Sequence, residues 1–180
     1  MASSRLISVF ILLSLAMVAS EATTYPSEEV VFVNAVTTNP KLTLLTASLK
    51  ATGLVGPLTE LVKAGVTVFA PTDDAFVALG PAVIKCVSKE PGISKVLKPI
   101  LLYHVVKGKF VAQTLKKKTS LKTVLGPKVS IRKYKQTLKV NKSVVIIADA
   151  ITSSKSVAHV IDAVLIPKIL LPVIKVVCGC

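Results

Sequence analysis

Residues Val66 to Leu79, VTVFAPTDDAFVAL, limit the possible folds of this chain more than any other stretch. Val66 to Ala70 is a short apolar run that stops at Pro71, the pattern of a buried strand. A helix starts at once. Thr72 or Asp73 can accept hydrogen bonds from its first free N–H groups, and Asp73 and Asp74 suit its positive end. Ala75, Phe76 and Leu79 then share one helical face. A second apolar strand, Val157-Ala-His-Val-Ile-Asp-Ala-Val-Leu-Ile-Pro167, also ends at a proline, and Leu101-Leu-Tyr-His-Val-Val-Lys-Gly-Lys109 lies between the two.

The rest of the chain divides by periodicity. Ser27-Glu-Glu-Val begins a helix that runs to Val36, and Pro40 opens the next, with Leu42, Leu45 and Leu49 as its stripe and Gly53 as its end. Leu54 to Lys63 is a third helix stopped by Gly65; Pro81 to Val87 and Ile93 to Val105 continue the helical half. Later, Val106 to Leu115 and Leu121 to Leu125 are short β-like runs, and Gly126-Pro127 is a turn. Val129 and Ile131 alternate with Ser130 and Arg132, Leu138 and Val140 alternate with Lys139 and Asn141, and Val144 to Ala148 is a continuous apolar strand. Ala158 to Ile166 is the last strand. Helices first and antiparallel strands later predict an α+β domain.

The chain has 180 residues and is 52% hydrophobic, enough for one domain with a real core. Arg5, the apolar run Leu6 to Ala19, and small residues at Ala19, Ser20 and Ala22 predict a signal peptide over residues 1–20, followed by a leader over 21–29. The end of the chain, 168–180, reads as an apolar tail closing on Cys-Gly-Cys, too interrupted by Pro172 and Lys175 to span a bilayer. In an exported chain the three cysteines can oxidise. Cys86 is expected to pair with Cys178 or Cys180, because a Cys178–Cys180 bridge spans one residue and is strained. The leftover thiol is either buried or links two chains as a disulfide-bonded homodimer. Asn141-Lys-Ser143 is the single N-glycosylation sequon, placed at an expected hairpin turn.

Net charge is +14, and it is concentrated. Between Lys107 and Lys142 there are twelve Lys or Arg and no Asp or Glu. Such a tract suits a polyanion. Phe110 and Tyr134 are its only aromatics, too few for base stacking, so nucleic acid is set aside. Lys116, Lys117, Lys118, Lys122, Lys133 and Lys135 are the candidate contacts.

In their order and spacing, the three segments resemble the fasciclin domain, an extracellular adhesion module. The first box matches at Thr67, Val68, Phe69, Ala70, Pro71, Thr72, Asp73, Ala75 and Phe76, the tyrosine–histidine pair at Tyr103 and His104, and the last box at His159 to Asp162, Val164, Leu165 and Pro167. Thr123, Leu125 and Gly126 resemble the strand–turn that precedes the family's hairpin. The resemblance covers about 30 to 167 and implies a helical N-terminal half packed on an antiparallel β-wedge. It further implies a role for Tyr103 and His104 in cell-receptor binding. Where the family often has Asn-Gly before the last box, this chain has Lys155-Ser156, so that turn must form without glycine.

Catalysis has little to work with. Asp73 and Asp74 read as helix-cap residues, Asp162 as a partner for buried donors, and the two histidines, His104 and His159, stand among few acids. Three cysteines do not match the paired spacing of a zinc site, and no phosphate-cradling glycine loop occurs, so no metal or cofactor is expected. The expectation is a secreted, non-enzymatic adhesion protein of cell wall or matrix that binds acidic polysaccharide, or a matrix or cell-surface protein. The alternative is a cationic defence protein that acts at anionic membrane surfaces.

Overall fold

The computed structural model describes residues 25–116 and 118–179. The expected signal peptide, Lys117 and Cys180 lie outside the described residues.

Three helices open the fold: α1 (Glu28–Thr37), α2 (Thr43–Ala51) and α3 (Val55–Ala64). Their stripes bury Phe32, Val33 and Val36, then Leu42, Leu45 and Leu49, then Leu58 and Val62. Gly65 stops α3 at φ 98°, where a side chain would be strained. The chain then enters β1 (Val66–Pro71) and turns into α4 (Asp73–Val77). Thr72 caps α4 by accepting from the Ala75 N–H. Asp73 caps a different helix: it accepts from Thr43 Oγ1 at 2.7 Å and the Leu44 N–H at 2.8 Å, at the start of α2. The second helix therefore begins after the expected Pro40, where its cap is available.

Next come α5 (Pro81–Val87), a π-helical turn (Ile93–Leu97), and α6 (Lys98–Tyr103). The helix expected through Val105 ends two residues early, because Val105 already belongs to β2 (Val105–Lys107). The β-like run expected to Leu115 also stops early, at Gly108 (φ 96°). Side chains, not a ladder, hold the loop that follows. Thr67 Oγ1 accepts from the Phe110 N–H, Asp149 accepts from the Ala112 N–H, and Lys133 Nζ donates to the Ala112 carbonyl.

The remaining strands are β3 (Lys118–Lys122), β4 (Lys128–Tyr134), β5 (Thr137–Val140), β6 (Ser143–Thr152) and β7 (Val157–Ile161). They form one sheet in the order β2-β1-β7-β6-β5-β4-β3. All pairs are antiparallel except β1 with β7, which run parallel and join the first and last sequence boxes. The sheet is therefore mixed, and the fold is α+β as expected. It curls until its ends meet, with Val106 bridging Thr123 and the Val124 N–H donating to the Val105 carbonyl at 2.7 Å.

Because β1 and β7 are buried on both faces, they divide the interior in two. Val66, Val68, Ala70, Ala158 and Val160 pack on the helices. Phe69 and Ile161 point the other way, into the curled sheet, with Val106, Leu121, Val129, Ile131, Leu138 and Val140. In β6 the ladder shifts register twice and Asp149 adopts φ 51°. Ile146 and Ile147 are both about half exposed, although the run containing them is continuously apolar. A bulge breaks the alternation that sequence pattern assumes.

The C-terminal tail folds. A 3-10 turn (Lys168–Leu170) leads into α7 (Leu171–Cys178), which accommodates Pro172 in its first turn. Leu170 and Ile174 join the helical core, and Cys178 is bonded to Cys86 on α5. Of the two pairings left open by the sequence, the bridge takes Cys178. The glycine-free turn before β7 is made by serines: the Ser153 N–H donates to the Ser156 carbonyl, and the Ser156 N–H to Ser153 Oγ. Ser156 Oγ also accepts from the Val66 N–H and donates to the Val62 carbonyl, tying this turn to α3 and β1.

Candidate functional site: a basic sheet face

Alternation along β3, β4 and β5 sends Leu121, Val129, Ile131, Leu138 and Val140 inward. The opposite parity faces solvent, and most of it is cationic. The ladder sets Lys118 opposite Arg132, Arg132 opposite Lys139, and Lys122 opposite Lys128. One row of three cations thus crosses the three strands, and a second row of two lies about 13 Å along at ~3.3 Å per residue. Ser120 and Ser130 pair between the rows. Like charges directly opposite one another repel. No acid relieves them: among the described residues the single acid–base contact is His159 with Asp149, at 3.6 Å.

The sequence-nominated lysines separate on this geometry. Lys118 and Lys122 stand on the face. Lys116 is exposed in the preceding loop. Lys135 sits at the β4–β5 turn with φ 52°, its ammonium 5.8 Å from the centre of the Tyr134 ring. Lys133 has the inward parity and is engaged with the Ala112 carbonyl. Lys128, Arg132 and Lys139 were missed. The signal was present in the alternation of Val129 and Ile131 with Lys128, Ser130 and Arg132, which puts those three on the outer face.

Tyr103 and His104 are buried, at 4% and 2% exposure. The Tyr103 hydroxyl donates to the Lys128 carbonyl at 3.0 Å and accepts from Asn141 Nδ2 at 3.2 Å. His104 Nδ1–H donates to the Ile100 carbonyl at 2.7 Å, while Nε2 accepts from the Leu165 N–H at 2.9 Å. The pair thus joins the end of α6 to β4 and to the segment after β7. Burial drives the His104 pKa down to about 4, against the opposing pull of the Ile100 hydrogen bond. The imidazole is neutral at neutral pH.

His159 is also internal and stacks on Phe69, with ring centres 5.6 Å apart. Its Nδ1 accepts from the Asp149 N–H, and Nε2–H donates to the Phe110 carbonyl. Burial lowers its pKa, opposed by the Phe110 bond and the Asp149 charge. Each histidine satisfies backbone groups and neither reaches solvent.

Asn141 occupies the β5–β6 turn with φ 54°, and its Oδ1 accepts from the Ser130 N–H. Ser143 Oγ donates to Asp162, which also accepts from the Val144 N–H. Asp162 thus holds the buried Ser143 hydroxyl, as the sequence suggested, but it is itself exposed and lies one residue past the end of β7. Among the described residues no three acid, histidine or cysteine side chains gather as a metal site would require.

Comparison with known proteins agrees with this architecture. The family description "Fasciclin domain" matches residues 40–167. Protein sll1483 of Synechocystis sp. is 36% identical over 129 residues, covering 72% of this chain and 69% of that protein. Stabilin-2 of Mus musculus is 34% identical over 106 residues, 58% of this chain but 4% of that protein. The transforming growth factor-beta-induced protein ig-h3 of Oryctolagus cuniculus is 36% identical over 101 residues, 56% of this chain and 14% of that protein. A solved domain pair from the insect cell adhesion molecule Fasciclin I superposes with a TM-score of 0.52 at 19% identity, covering 69% of this chain and 45% of that one. The fold, the parallel pairing of the first and last boxes, and the match over most of the length place this chain in the fasciclin domain family.

Proposed function

We propose that this protein is a secreted, non-catalytic adhesion module of a cell wall or matrix, and that it holds acidic polysaccharide on the outer face of β3, β4 and β5. The observation that carries this reading is the two rows of unpaired cations, Lys118–Arg132–Lys139 and Lys122–Lys128, in a tract without acids. At physiological salt each exposed pair contributes less than about 1 kcal/mol, so retention requires several contacts at once. A rigid sheet offers them together at fixed spacing. The adhesive nature of Fasciclin I supports the general role.

The test is retention of the purified protein on an immobilised acidic polysaccharide across a salt gradient, beside the triple variant K118Q/R132Q/K139Q. Late elution that collapses in the triple variant supports the reading. Early elution of both proteins would sink it. Dye release from anionic vesicles covers the alternative of a membrane-active defence protein, since a matrix binder leaves vesicles intact. Glycosylation of Asn141 belongs to the same proposal; one amide hydrogen bonds Tyr103, and the glycan would take the place of the other.

A further inference from the structure

A groove of about 810 Å³ runs between the basic sheet and the chain that follows β7. Its two walls differ in chemistry. On one side stand Lys128 and Arg132, with Lys142 at the β5–β6 turn. On the other are Val164, Ile169 and Leu171, with Lys168 among them. No acidic residue lines it. Ile169 is 68% exposed and Leu171 48%, so the apolar wall faces water when the groove is empty. That wall does not hang free. Leu165 is pinned by His104, Leu170 and Ile174 are packed in the core, and the end of α7 is bonded to α5 through Cys178.

We propose that this groove binds a free long-chain fatty carboxylate, its aliphatic chain along Val164, Ile169 and Leu171 and its carboxylate at Arg132. Three features favour this occupant. The volume falls in the range of small-ligand clefts, roughly 300–1,000 Å³. The apolar wall is stabilised when an aliphatic chain takes it out of water, a gain that a hydroxyl-covered sugar chain does not supply. The planar guanidinium of Arg132 can engage a carboxylate with two parallel hydrogen bonds, and Lys128 and Lys142 add charge of the complementary sign. Because the wall is anchored at both ends, little ordering remains for the ligand to impose.

The chain contains no tryptophan, so the readout is an added fluorophore: stearate carrying an anthroyloxy group, titrated into the purified protein and displaced with oleate. Saturable enhancement and displacement by oleate are expected, with oleyl alcohol at least tenfold weaker as a competitor. K128Q/R132Q and, separately, I169Q/L171Q should each weaken the probe tenfold or more. These side chains are exposed, so a single cooperative melting transition will show that the variants remain folded. The variant K118Q/K122Q/K139Q, whose residues do not line the groove, should bind the probe like wild type even where polysaccharide retention is lost. The two readings therefore fail separately. Absence of saturable binding, equal competition by oleyl alcohol, or wild-type affinity in I169Q/L171Q would each overturn the proposal.

Discussion

The β1–β7 seam and the β3–β5 face lie in the same sheet and treat their polar groups in opposite ways. Along the seam, Thr67, Ser156, His104 and His159 are buried, and each is bonded to backbone on another segment. No buried side-chain nitrogen or oxygen among the described residues lacks a partner. On the outer face, five cations stand in opposed positions with no acid near them. Polar residues of the seam specify the fold, because an unmade bond there costs about 1–3 kcal/mol. Those of the face have no such partner, and like charges directly opposite one another repel. A seam change should therefore lower stability, whereas a face change should alter binding while leaving the fold intact.

The largest loss should come from cutting the covalent link that fixes the helical side. Cys86 and Cys178 are 92 residues apart in sequence, and a loop of that size is worth about 4–5 kcal/mol in the chain-entropy model. Cys178→Ser should lower the denaturation midpoint accordingly in urea or heat. It should also weaken fatty-acid binding if the groove needs its anchored wall, yet leave polysaccharide retention on the sheet unaltered.

Acid is the next probe. An unfolded histidine titrates near 6.5, whereas folded His104 titrates at about 4. Between those values the unfolded chain binds the extra proton, so stability falls as pH falls from 6.5 to 4, by about 3 kcal/mol in all from this group. Burial of His159 acts in the same direction. Urea denaturation at pH 7, 5.5 and 4.5 should show this decline. His104→Gln should be less stable at pH 7 but have a shallower pH dependence. A decline of equal steepness in that variant would remove His104 from the account.

A smaller effect tests Ser156, whose hydroxyl ties the turn before β7 to α3 and β1. Ser156→Ala strands the Val66 N–H, at about 1–3 kcal/mol, while the Val62 carbonyl keeps the Gly65 N–H as its donor. Ser156→Gly should lose as much, because the missing group is the hydroxyl. If the glycine variant were fully stable, the bond to Val66 would carry little weight.

Local pattern made much of this legible from sequence. The three early helices, β1 with its proline stop, and β4 and β5 follow from periodicity and turn residues. The α4 cap, by contrast, stayed open between Thr72 and Asp73, and β3 begins three residues before the expected Leu121–Leu125 run. Interactions across long separations were not legible. Asp73 caps α2 thirty residues upstream, and the loop after Gly108 is held by Thr67, Lys133 and Asp149. Nothing within either segment announces such partners. The basic site was half legible. The tract of charge was plain, but its face depended on strand parity, which excludes Lys133 and admits Lys128, Arg132 and Lys139.

The finest test asks whether the face opposes folding at all. Arg132 stands between Lys118 and Lys139, and each opposed pair is worth about 0.2–1 kcal/mol of repulsion. Lys118→Gln with Lys139→Gln removes both oppositions and keeps side-chain length close to the original. Stability should rise by several tenths of a kcal/mol, a shift of about 1–3 °C in Tm for a chain of this size. The gain should shrink in high salt, where screening has already weakened the repulsion in the parent. Polysaccharide retention should fall in the same variant. A rise in stability together with a loss of binding is the signature of residues kept for a ligand and not for the fold. If both quantities stayed level, the face would be an ordinary solvated surface, and the contrast with the seam would reduce to one of burial.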